Sequence, residues 1–373
     1  MEKRKWRWID LERDSTAKIF IASEPIAKSI SRGEVPSTLL SWDVPFPYIT
    51  LGRHEDVDIM LDTDEAQRRG IMLTRRTHAG GGCIFFEHAY AFGWAVNAEE
   101  APTLDDNVAK QKLILEYAIR DVGISDAEVV GSGDLRWHGK KLGSTSLEKI
   151  GNVFVLIGGP FFALKKGRGV EDFLKSQKIP QEKMKDKEIK DLSEYIGFLF
   201  DILAPEEPAY GKCCEVIVKA TAQAFDAEVI KGSFTERELR EVIELAELQR
   251  TERWLHRKDS GRFRQHNIGR GYRVGFATTK YKKLVRIGVA IDSSTNELKD
   301  VMVAGDMYIS PPSAVDEIEE ALKGLNARDE GELFRKVKGV VNRTTVEQAE
   351  IHKITSQEFM LVLKQAIDEA LRL

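Results

Sequence analysis

Two arginines beside a bare stretch of backbone are the first residues of this sequence that could do chemistry. Arg75 and Arg76 precede the consecutive glycines Gly80, Gly81 and Gly82. Such glycines allow positive φ and let backbone N–H groups approach a ligand closely, and guanidinium groups bind phosphate through charge-assisted hydrogen bonds. The combination favours a loop for an anionic, phosphate-bearing ligand. The alternative is a tight hairpin turn that needs small residues.

The chain after the glycines argues against two familiar nucleotide-binding fingerprints. Rossmann and P-loop motifs place their glycines between a strand and a helix. Here an aromatic run follows, and its loose alternation predicts strands at 83–86 and 90–96. A ligand held by this loop would therefore be bound in another way.

Lys141 is the first choice for a catalytic side chain. It lies in the segment GKKLGS, which is predicted to belong to a hairpin with arms at 135–138 and 141–146 and a turn at Gly139. A lysine on a rigid strand can hold one positive charge beside a phosphate or a developing oxyanion. Its neighbour Lys140 would point to the opposite face. An ordinary surface lysine is the alternative interpretation.

Three further side chains are candidates for the same site. Asp134 could hold Mg²⁺, which in proteins combines one or two carboxylates with substrate phosphates, or it could be a turn aspartate. His78 could contact the ligand or cap the turn. Arg53, at the end of a predicted strand, is a weaker candidate for phosphate than the arginine pair, of which one member could face away.

The cysteines favour packing over catalysis. Cys83 would act as a nucleophile only with a base and an electropositive setting, and no partner histidine can be identified, so a buried structural thiol is favoured. Cys213 and Cys214 fall in a predicted amphipathic helix as packing or surface residues. Three cysteines are too few for a disulfide framework or a zinc site, which indicates a reducing compartment.

The composition is that of an ordinary soluble protein. Hydrophobic residues make up 42% and charged residues 31% of the 373 residues, and the net charge is −4. These values exclude a general affinity for nucleic acid or membranes. We see no signal peptide and no stretch that approaches a membrane span, so a cytoplasmic location is expected.

The elements that must position these residues fall into two groups. Before residue 255, strands are predicted at 6–9, 39–42, 48–51, 71–74, 128–130 and 153–164, and helices at 16–31, 64–70, 104–122, 211–225 and 235–254. In the charged segment 256–264, apolar residues do not recur at the spacing of a helix or a strand. Strands then follow at 272–276, 284–291 and 298–304, with helices at 314–325 and 356–373. We predict an α+β protein with domains at 1–255 and 262–373.

Taken in order, these segments resemble the lipoate–protein ligases of the biotin/lipoate protein ligase superfamily. The stretches that carry the resemblance are PSTLLSWDVPFPYITLGRHEDV, RRTHAGGGCIFFEHAYAF, GSGDLRWHGKKLGSTS, IPQEKMKDKEIKDLSEYIGFL and VAGDMYISPPSAVDEIEEALKGL. The resemblance implies a large catalytic domain of mixed or antiparallel sheets flanked by helices, like class II aminoacyl-tRNA synthetases and biotin ligases. It also implies a small accessory C-terminal domain.

The resemblance further implies a ligation in two steps. Lipoate and MgATP give lipoyl-AMP and pyrophosphate, and a lysine amine of a lipoyl-carrier protein then attacks the anhydride and releases AMP. An E2 lipoyl domain, the glycine cleavage H protein or a related protein would be the carrier. Lys141, which matches the family's essential lysine, would neutralise phosphate and polarise the acyl carbonyl, and Asp134 would help to hold Mg²⁺.

The residues implied to bind the substrate and the adenylate are Arg53, Arg75, Arg76, His78, Gly80, Gly81, Gly82, Cys83, Phe85, Lys141, Gly143 and Ser144. Several positions depart from the family's pattern: one extra residue separates the arginines from the glycines, Phe86-Glu87 replaces a His-Asp pair, and Ala89-Tyr90 replaces a Gly-Asn pair. Ala79 stands where a serine or threonine usually precedes the glycines, and Gly133 stands where an asparagine usually precedes the aspartate. We interpret these changes as signs of a divergent ligase with a specialised carrier.

Biotin ligation is a less favoured alternative, because the loop of the biotin enzymes is richer in arginine among the glycines. Two other functions are compatible with the same residues. One is an acyltransferase that moves octanoyl or lipoyl groups through a cysteine thioester, although the segment 128–137, ahead of the lysine, contains no cysteine. The other is a protein that binds lipoate or its carrier without catalysis. Release of pyrophosphate on addition of lipoate and ATP separates an enzyme from such a binder.

Overall fold

A computed structural model describes residues 3–13, 18–85, 87, 89–124, 126–131, 133–163, 178, 196–197, 210–249, 251–263, 271–281, 283–307, 313–341 and 355–372. The charged stretch that resembles the family's linker, 179–199, lies outside these residues except for Ile196 and Gly197. At 83–85 the backbone is described and the side chains are not, so the predicted ligand contacts of Cys83 and Phe85 lie outside the description.

The strands of the described residues are β1 (Arg4–Asp10), β2 (Thr38–Asp43), β3 (Tyr48–Leu51), β4 (Met72–Arg75), β5 (Cys83–Phe85), β6 (Ala89–Asn97), β7 (Ala127–Val130), β8 (Asp134–Trp137), β9 (Lys140–Ile150), β10 (Val153–Ala163), β11 (Ala227–Lys231), β12 (Tyr272–Lys280), β13 (Leu284–Asp292) and β14 (Leu298–Gly305). The helices are α1 (Lys18–Ser31), α2 (Val57–Met60), α3 (Thr63–Arg68), α4 (Leu104–Asp121), α5 (Tyr210–Phe225), α6 (Glu236–Gln249), α7 (Glu252–Leu255), α8 (Ala314–Leu322), α9 (Glu330–Val341) and α10 (Ser356–Arg372).

A mixed sheet of eight strands organises the first part of the chain. Its order is β11-β1-β2-β6-β10-β9-β8-β7, with β1 parallel to both of its neighbours and the other pairs antiparallel. One face packs against α1 and α6, and the other packs against α4 and α5. The predicted α+β architecture, with a large mixed sheet flanked by helices, is confirmed.

Sequence and position agree well in the centre of this sheet. β6 has a near-continuous apolar sequence, AYAFGWAV, because it is covered on both faces. The indole of Trp94 is buried there and donates to Thr221 of α5 at 3.0 Å. On the same face α4 begins with a capping box, in which Thr103 and Asp106 satisfy each other's backbone N–H groups.

A second, smaller sheet carries the glycine-rich segment. Its order is β4-β3-β5, with β4 parallel and β5 antiparallel to the central strand. The chain leaves β4 at Arg75, passes through residues 76–82 and returns as β5 on the other side of β3. We call residues 76–82 the glycine loop. Both of its ends are therefore anchored to strands of one rigid sheet.

A separate C-terminal unit consists of the antiparallel sheet β12-β13-β14 with helices on one face. Its other face packs on Phe263, which belongs to the segment that joins the two units. This confirms the predicted small α+β unit. α2, α9 and β11 are additional elements that the sequence pattern did not indicate, and the helix predicted at 235–254 is divided into α6 and α7. Among the described residues, no helix combines the length and apolar character that crossing a membrane requires.

Candidate active site

The glycine loop is folded around the side chain of Arg76. The guanidinium donates to the carbonyl oxygens of Thr50 at 3.3 Å, Ala79 at 3.0 Å and Gly81 at 2.7 Å. Only 2% of Arg76 is exposed. This arginine therefore shapes the loop from inside, and its predicted contact with phosphate stays a prediction.

Arg75 is even more deeply embedded. Its guanidinium donates to the carbonyl oxygens of Leu255 at 2.8 Å, Gly52 at 2.9 Å and Glu55 at 2.7 Å. Burial lowers the pKa of Arg75 to about 10. The side chain joins three chain segments and is fully buried.

Two glycines let the loop lie against the end of β3: Gly52, which follows β3, and Gly80 of the loop. A side chain at Gly52 would overlap the carbonyl group of Gly80, because the two backbones touch there. Gly80 itself has a φ of 94°, in the left-handed region that favours glycine. The glycines thus serve a close approach between the end of β3 and the loop, as well as any approach to a ligand.

His78 is a buried, neutral imidazole. Its Nε2 lies 2.9 Å from Ser23 Oγ of α1, and its carbonyl oxygen accepts from the backbone N–H of Arg53 at 2.8 Å. Burial lowers the pKa of His78 to about 4, so the ring carries no charge at pH 7. The side chain thus ties the loop to α1 and the backbone ties it to Arg53, and the predicted contact with a ligand stays a prediction.

Buried polar atoms without a hydrogen-bond partner concentrate around the glycine loop. They include Thr50 Oγ1, Arg53 Nε, both ring nitrogens of His54, Arg76 Nε, Thr77 Oγ1, His78 Nδ1 and Glu148 Oε1. Most buried polar atoms in folded proteins bond to protein or to ordered water. Their concentration here marks a polar site that is suited to receive a ligand or water.

The hairpin of β8 and β9 presents Lys141. It turns through His138 and Gly139, both with positive φ, which suits a two-residue hairpin turn. The ammonium group of Lys141 donates to Asp134 Oδ1 at 2.9 Å, and their side chains are 27% and 33% exposed. The predicted hairpin is confirmed, and its cation is accessible and held by an ion pair that solvent can reach.

A β-bulge decides which way Lys141 points. The register of the hairpin shifts between Leu135 and Arg136. Leu142 packs into the core beneath α4 and α5, so the neighbouring Lys141 projects from the other face of the sheet. Lys140 is exposed. At most one member of the lysine pair can serve a site on the α1 face, as predicted.

Three more side chains of β9 lie on the face that α1 covers. Glu148 stands opposite Val155, a residue of the core on that face, and Ser144 and Ser146 share the face because strand side chains alternate. We call Lys141, Ser144, Ser146 and Glu148 the β9 strip. The glycine loop meets the end of this strip, where the N–H of Ala79 donates to Glu148 Oε2 at 3.1 Å.

Asp134 has the chemistry of a magnesium ligand but is engaged with cations of the protein. Its second oxygen lies 3.8 Å from the guanidinium of Arg136. Across the described ranges, no cluster of three or more His, Cys, Asp or Glu residues could hold a metal ion. A single carboxylate suits Mg²⁺ that arrives with substrate phosphates. The preceding Gly133 is explained locally, because a side chain there would overlap Gln111 and Thr145.

Two carboxylates cover the tip of the glycine loop. Glu55 Oε2 accepts from the backbone N–H of Gly52 at 3.0 Å and lies beside Gly82. Asp306, at the end of β14, approaches Gly81 from the C-terminal unit. The loop that is predicted to bind an anion is thus covered by the protein's own carboxylates. Sequence reasoning missed both residues as well as Glu148.

Arg53 links the loop to the C-terminal unit. Its guanidinium donates to Asp316 of α8 at 3.3 Å, and Arg257 and Lys258 bind the same carboxylate at 2.6 and 3.1 Å. Burial alone would raise the pKa of Asp316, but the charges of Lys258 and Arg257 hold it well below its usual range. The predicted phosphate contact of Arg53 stays a prediction, because this residue is paired across the domain boundary.

The remaining candidate residues are either packed in the core or lie on β9. Cys213 and Cys214 are buried, and burial raises the pKa of the Cys213 thiol to about 12, so these residues pack as predicted. Gly143 is buried in the hairpin, and Ser144 is half-buried. The structure therefore brings the glycine loop and Lys141 to one face of the large sheet, while the two arginines of the loop are enclosed.

Comparison with known proteins gives a family and a fold. Residues 20–222 match the family model of the lipoyl protein ligase A/B catalytic domain. The sequence matches no curated protein.

Three solved structures resemble the chain. LipL1 of P. falciparum in complex with lipoate is 11% identical, with a TM-score of 0.63 over 89% of this chain and 94% of that one. A lipoate-protein ligase A bound with ATP is 13% identical, with a TM-score of 0.56 over 68% and 99%. A bipartite lipoate protein ligase from Thermoplasma acidophilum, described with its E2 lipoyl domain, is 17% identical, with a TM-score of 0.56 over 68% and 97%. At these identities the likeness is one of fold.

Proposed function

Since the chain belongs to the family of the lipoyl protein ligase A/B catalytic domain, we propose that it is a lipoate–protein ligase. It would activate lipoate with MgATP and transfer the lipoyl group to a lysine of a lipoyl-carrier protein. The matching range contains both the glycine loop and Lys141. The structural relatives, with lipoate, ATP and an E2 lipoyl domain, support these classes of substrate and partner.

One observation carries the proposal. Lys141 is an accessible cation that projects from the face of the large sheet where the glycine loop lies, and its ion pair with Asp134 is half-exposed. Such pairs contribute only about 0–1 kcal/mol. An incoming phosphate can therefore replace Asp134 as the partner of Lys141 at little cost, and the released carboxylate suits the magnesium of MgATP.

The chemistry follows from where this charge lies. A carboxylate oxygen of lipoate attacks the α-phosphorus of ATP, an O–P bond forms, and pyrophosphate leaves with its electron pair. The neutral carrier amine then attacks the acyl carbon, a C–N bond forms, the C–O bond to AMP breaks with its electron pair on the departing phosphate oxygen, and the amine releases one proton to solvent. Lys141 would stabilise the negative charge on phosphate and acyl oxygen in both steps, through a fixed charge rather than proton transfer.

The test is mass spectrometry of candidate carrier domains after incubation with the protein, MgATP and lipoate. We expect a lipoyl mass gain on one carrier lysine, with release of pyrophosphate that needs both lipoate and ATP. Several carriers assayed side by side show whether one is preferred. Neither mass gain nor pyrophosphate release with any carrier would reject the proposal, and carrier binding without release would indicate a non-catalytic binder.

A further inference from the structure

Arg136 is a second cation beside Lys141 that the reaction above does not use. The two residues stand opposite each other in the β8–β9 pair, and opposite residues of an antiparallel pair lie on the same face of the sheet. Asp134 lies between them, with one oxygen 2.9 Å from the ammonium of Lys141 and the other 3.8 Å from the guanidinium of Arg136. Two cations therefore share one carboxylate on the face of the β9 strip.

The protein itself leaves the guanidinium of Arg136 poorly bonded. Its Nε is buried without a hydrogen-bond partner, and the 3.8 Å to Asp134 is too long for a hydrogen bond. Among the described residues, Asp134 is the one carboxylate that forms an ion pair with it, although the exposed Glu128 stands opposite it on β7. The side chain is 34% exposed. The group is thus accessible and suited to donate hydrogen bonds to a bound anion.

The face that carries these cations changes from apolar to charged across the sheet. On β2 and β10 it consists of core residues such as Trp42 and Ile157. On β9 it presents Lys141, and on β8 it presents Asp134 and Arg136, because the intervening Leu135 packs in the core of the other face. β7, the last strand of the sheet, lies beyond β8. An apolar acyl chain would therefore lie on the β10 side of Lys141, and a charged group on the β8 side.

The displacement at phosphorus gives the phosphates of ATP a direction. In phosphoryl transfer the attacking and leaving oxygens are roughly in line, on opposite sides of the phosphorus. With the acyl chain of lipoate on the apolar side, its carboxylate would approach from there, and pyrophosphate would leave toward β8. The O–P bond to pyrophosphate breaks with its electron pair on the departing oxygen, so negative charge develops on that side. Arg136 is the cation there, and its guanidinium can donate two parallel hydrogen bonds to phosphate oxygens.

Resting on the proposed function, we infer that Arg136 binds the pyrophosphate that leaves ATP, while Lys141 stays with the phosphate that is kept in lipoyl-AMP. Adjacent strands lie about 4.8 Å apart, which lets the two cations contact neighbouring phosphates of one nucleotide. When Asp134 turns to the magnesium of MgATP, it releases both cations together. Pyrophosphate is absent from the second step. Arg136 is therefore a catalytic residue of the first step alone, whereas Lys141 serves both.

The experiment separates the two half-reactions in the full chain and in its Arg136→Gln, Arg136→Lys and Lys141→Met variants. The first is single-turnover release of pyrophosphate from MgATP and lipoate without carrier. The second is lipoyl transfer from chemically prepared lipoyl-AMP to an E2 lipoyl domain or H protein. We expect Arg136→Gln to slow the first by about 10²-fold, the usual loss for one group that stabilises developing charge, and to leave the second unchanged. Lys141→Met should slow both.

Two further variants and a binding measurement sharpen the test. Arg136→Lys keeps the charge without the planar fork, so its rate should lie between those of Arg136→Gln and the unaltered chain. Arg120→Gln, which alters an exposed arginine of α4, is the control and should change neither rate. In calorimetry without lipoate, Arg136→Gln should weaken ATP binding by about ten- to a hundredfold, the range for hydrogen bonds to a charged group. AMP binding should be unchanged.

Two outcomes would overturn the inference. One is equal slowing of both half-reactions in Arg136→Gln, which would assign the residue to the shape of the hairpin. The other is unchanged pyrophosphate release and ATP binding in that variant. Thermal unfolding shows that the variants are folded. If the unaltered chain neither releases pyrophosphate nor transfers lipoyl, the proposed function fails, and the comparison of ATP with AMP still decides whether Arg136 binds the outer phosphates.

Discussion

The glycine loop and the β8–β9 hairpin both carry cations toward one face of the large sheet, yet they hold them in opposite ways. At the start of the loop, Arg76 and the preceding Arg75 of β4 are enclosed, and each donates to three or more backbone carbonyl oxygens. In the hairpin, Lys141 is partly exposed and its ion pair with Asp134 is open to solvent. The difference teaches that arginines beside glycines can serve to build a loop, whereas the lysine of the hairpin keeps its ammonium group accessible.

The largest effect that separates the two regions should be on stability. We expect Arg75→Ala to lower the free energy of unfolding by about 3–5 kcal/mol, because several buried carbonyl oxygens lose their donor at once. Lys141→Met should change it by less than about 1 kcal/mol. Urea unfolding of both variants measures this, and similar losses would contradict the division of roles.

The next effect should be on activity and should have the reverse pattern. Lys141→Met is expected to reduce lipoyl transfer by about 10²–10³-fold, the usual loss when one group that stabilises developing charge is removed. Lys140→Met is the matched control, since this neighbouring lysine is exposed and projects from the other face. An equal loss in the control would show that the hairpin, rather than one ammonium, is needed.

The sequence predicted these regions well where the contacts join residues close together in the chain, and poorly where the contacts join distant residues. The turn at Gly139 and the apolar stripe of α10 are local patterns, and both were predicted. β11 is a short, half-exposed edge strand whose partner β1 lies at the other end of the domain, so no local pattern marked it. The predicted helix at 235–254 is two helices, because Thr251 caps a new start at α7.

The candidate site also depends on contacts between residues that are far apart in the sequence. The partners of Arg75 include Leu255, which is 180 residues away, and Glu148 looks in the sequence like any polar residue of a half-exposed strand. Only the fold places Glu148 against Ala79 and Asp306 beside Gly81. Residue types therefore indicated which segments carry chemistry, while long-range packing decided which side chains remain accessible.

A third test concerns pH and the buried groups of the loop region. The pKa of His78 is lowered to about 4, so its contribution to stability is complete above pH 6.5 and is lost as the pH falls toward 4. The pKa of Glu148 is raised to about 7, so its contribution is complete below pH 4.5 and is lost as the pH rises to 7. Each amounts to about 3 kcal/mol.

These opposite slopes should nearly cancel in the unaltered chain between pH 4.5 and 6.5. We expect the stability of His78→Gln to fall across this range as the pH rises, and that of Glu148→Gln to rise. Unfolding in urea at several pH values shows the slopes. Parallel profiles for both variants would mean that these groups are less buried than the structure shows.

The smallest effect concerns the bare backbone of the loop. Gly52→Ala should cost about 1–3 kcal/mol and also impair ligand binding, since the added methyl group must displace the carbonyl of Gly80. Gly211→Ala is the control, because that glycine lies in α5 with open space around it. It should be neutral or more stable by up to about 1 kcal/mol. A harmless Gly52→Ala would show that the two segments need not touch.

The carboxylates that cover the tip of the glycine loop would affect both the rate and the affinity of ligand binding at the proposed site. Asp306 belongs to the C-terminal unit and lies against Gly81 together with Glu55, so an anion bound at the loop, as proposed, would compete with these carboxylates for the same position. If such binding required the two units to separate, the apparent affinity would be the intrinsic affinity multiplied by the fraction of separated molecules. The rate of ligand binding would then reach a maximum at high ligand concentration, because the separation of the units, rather than diffusion, would limit it.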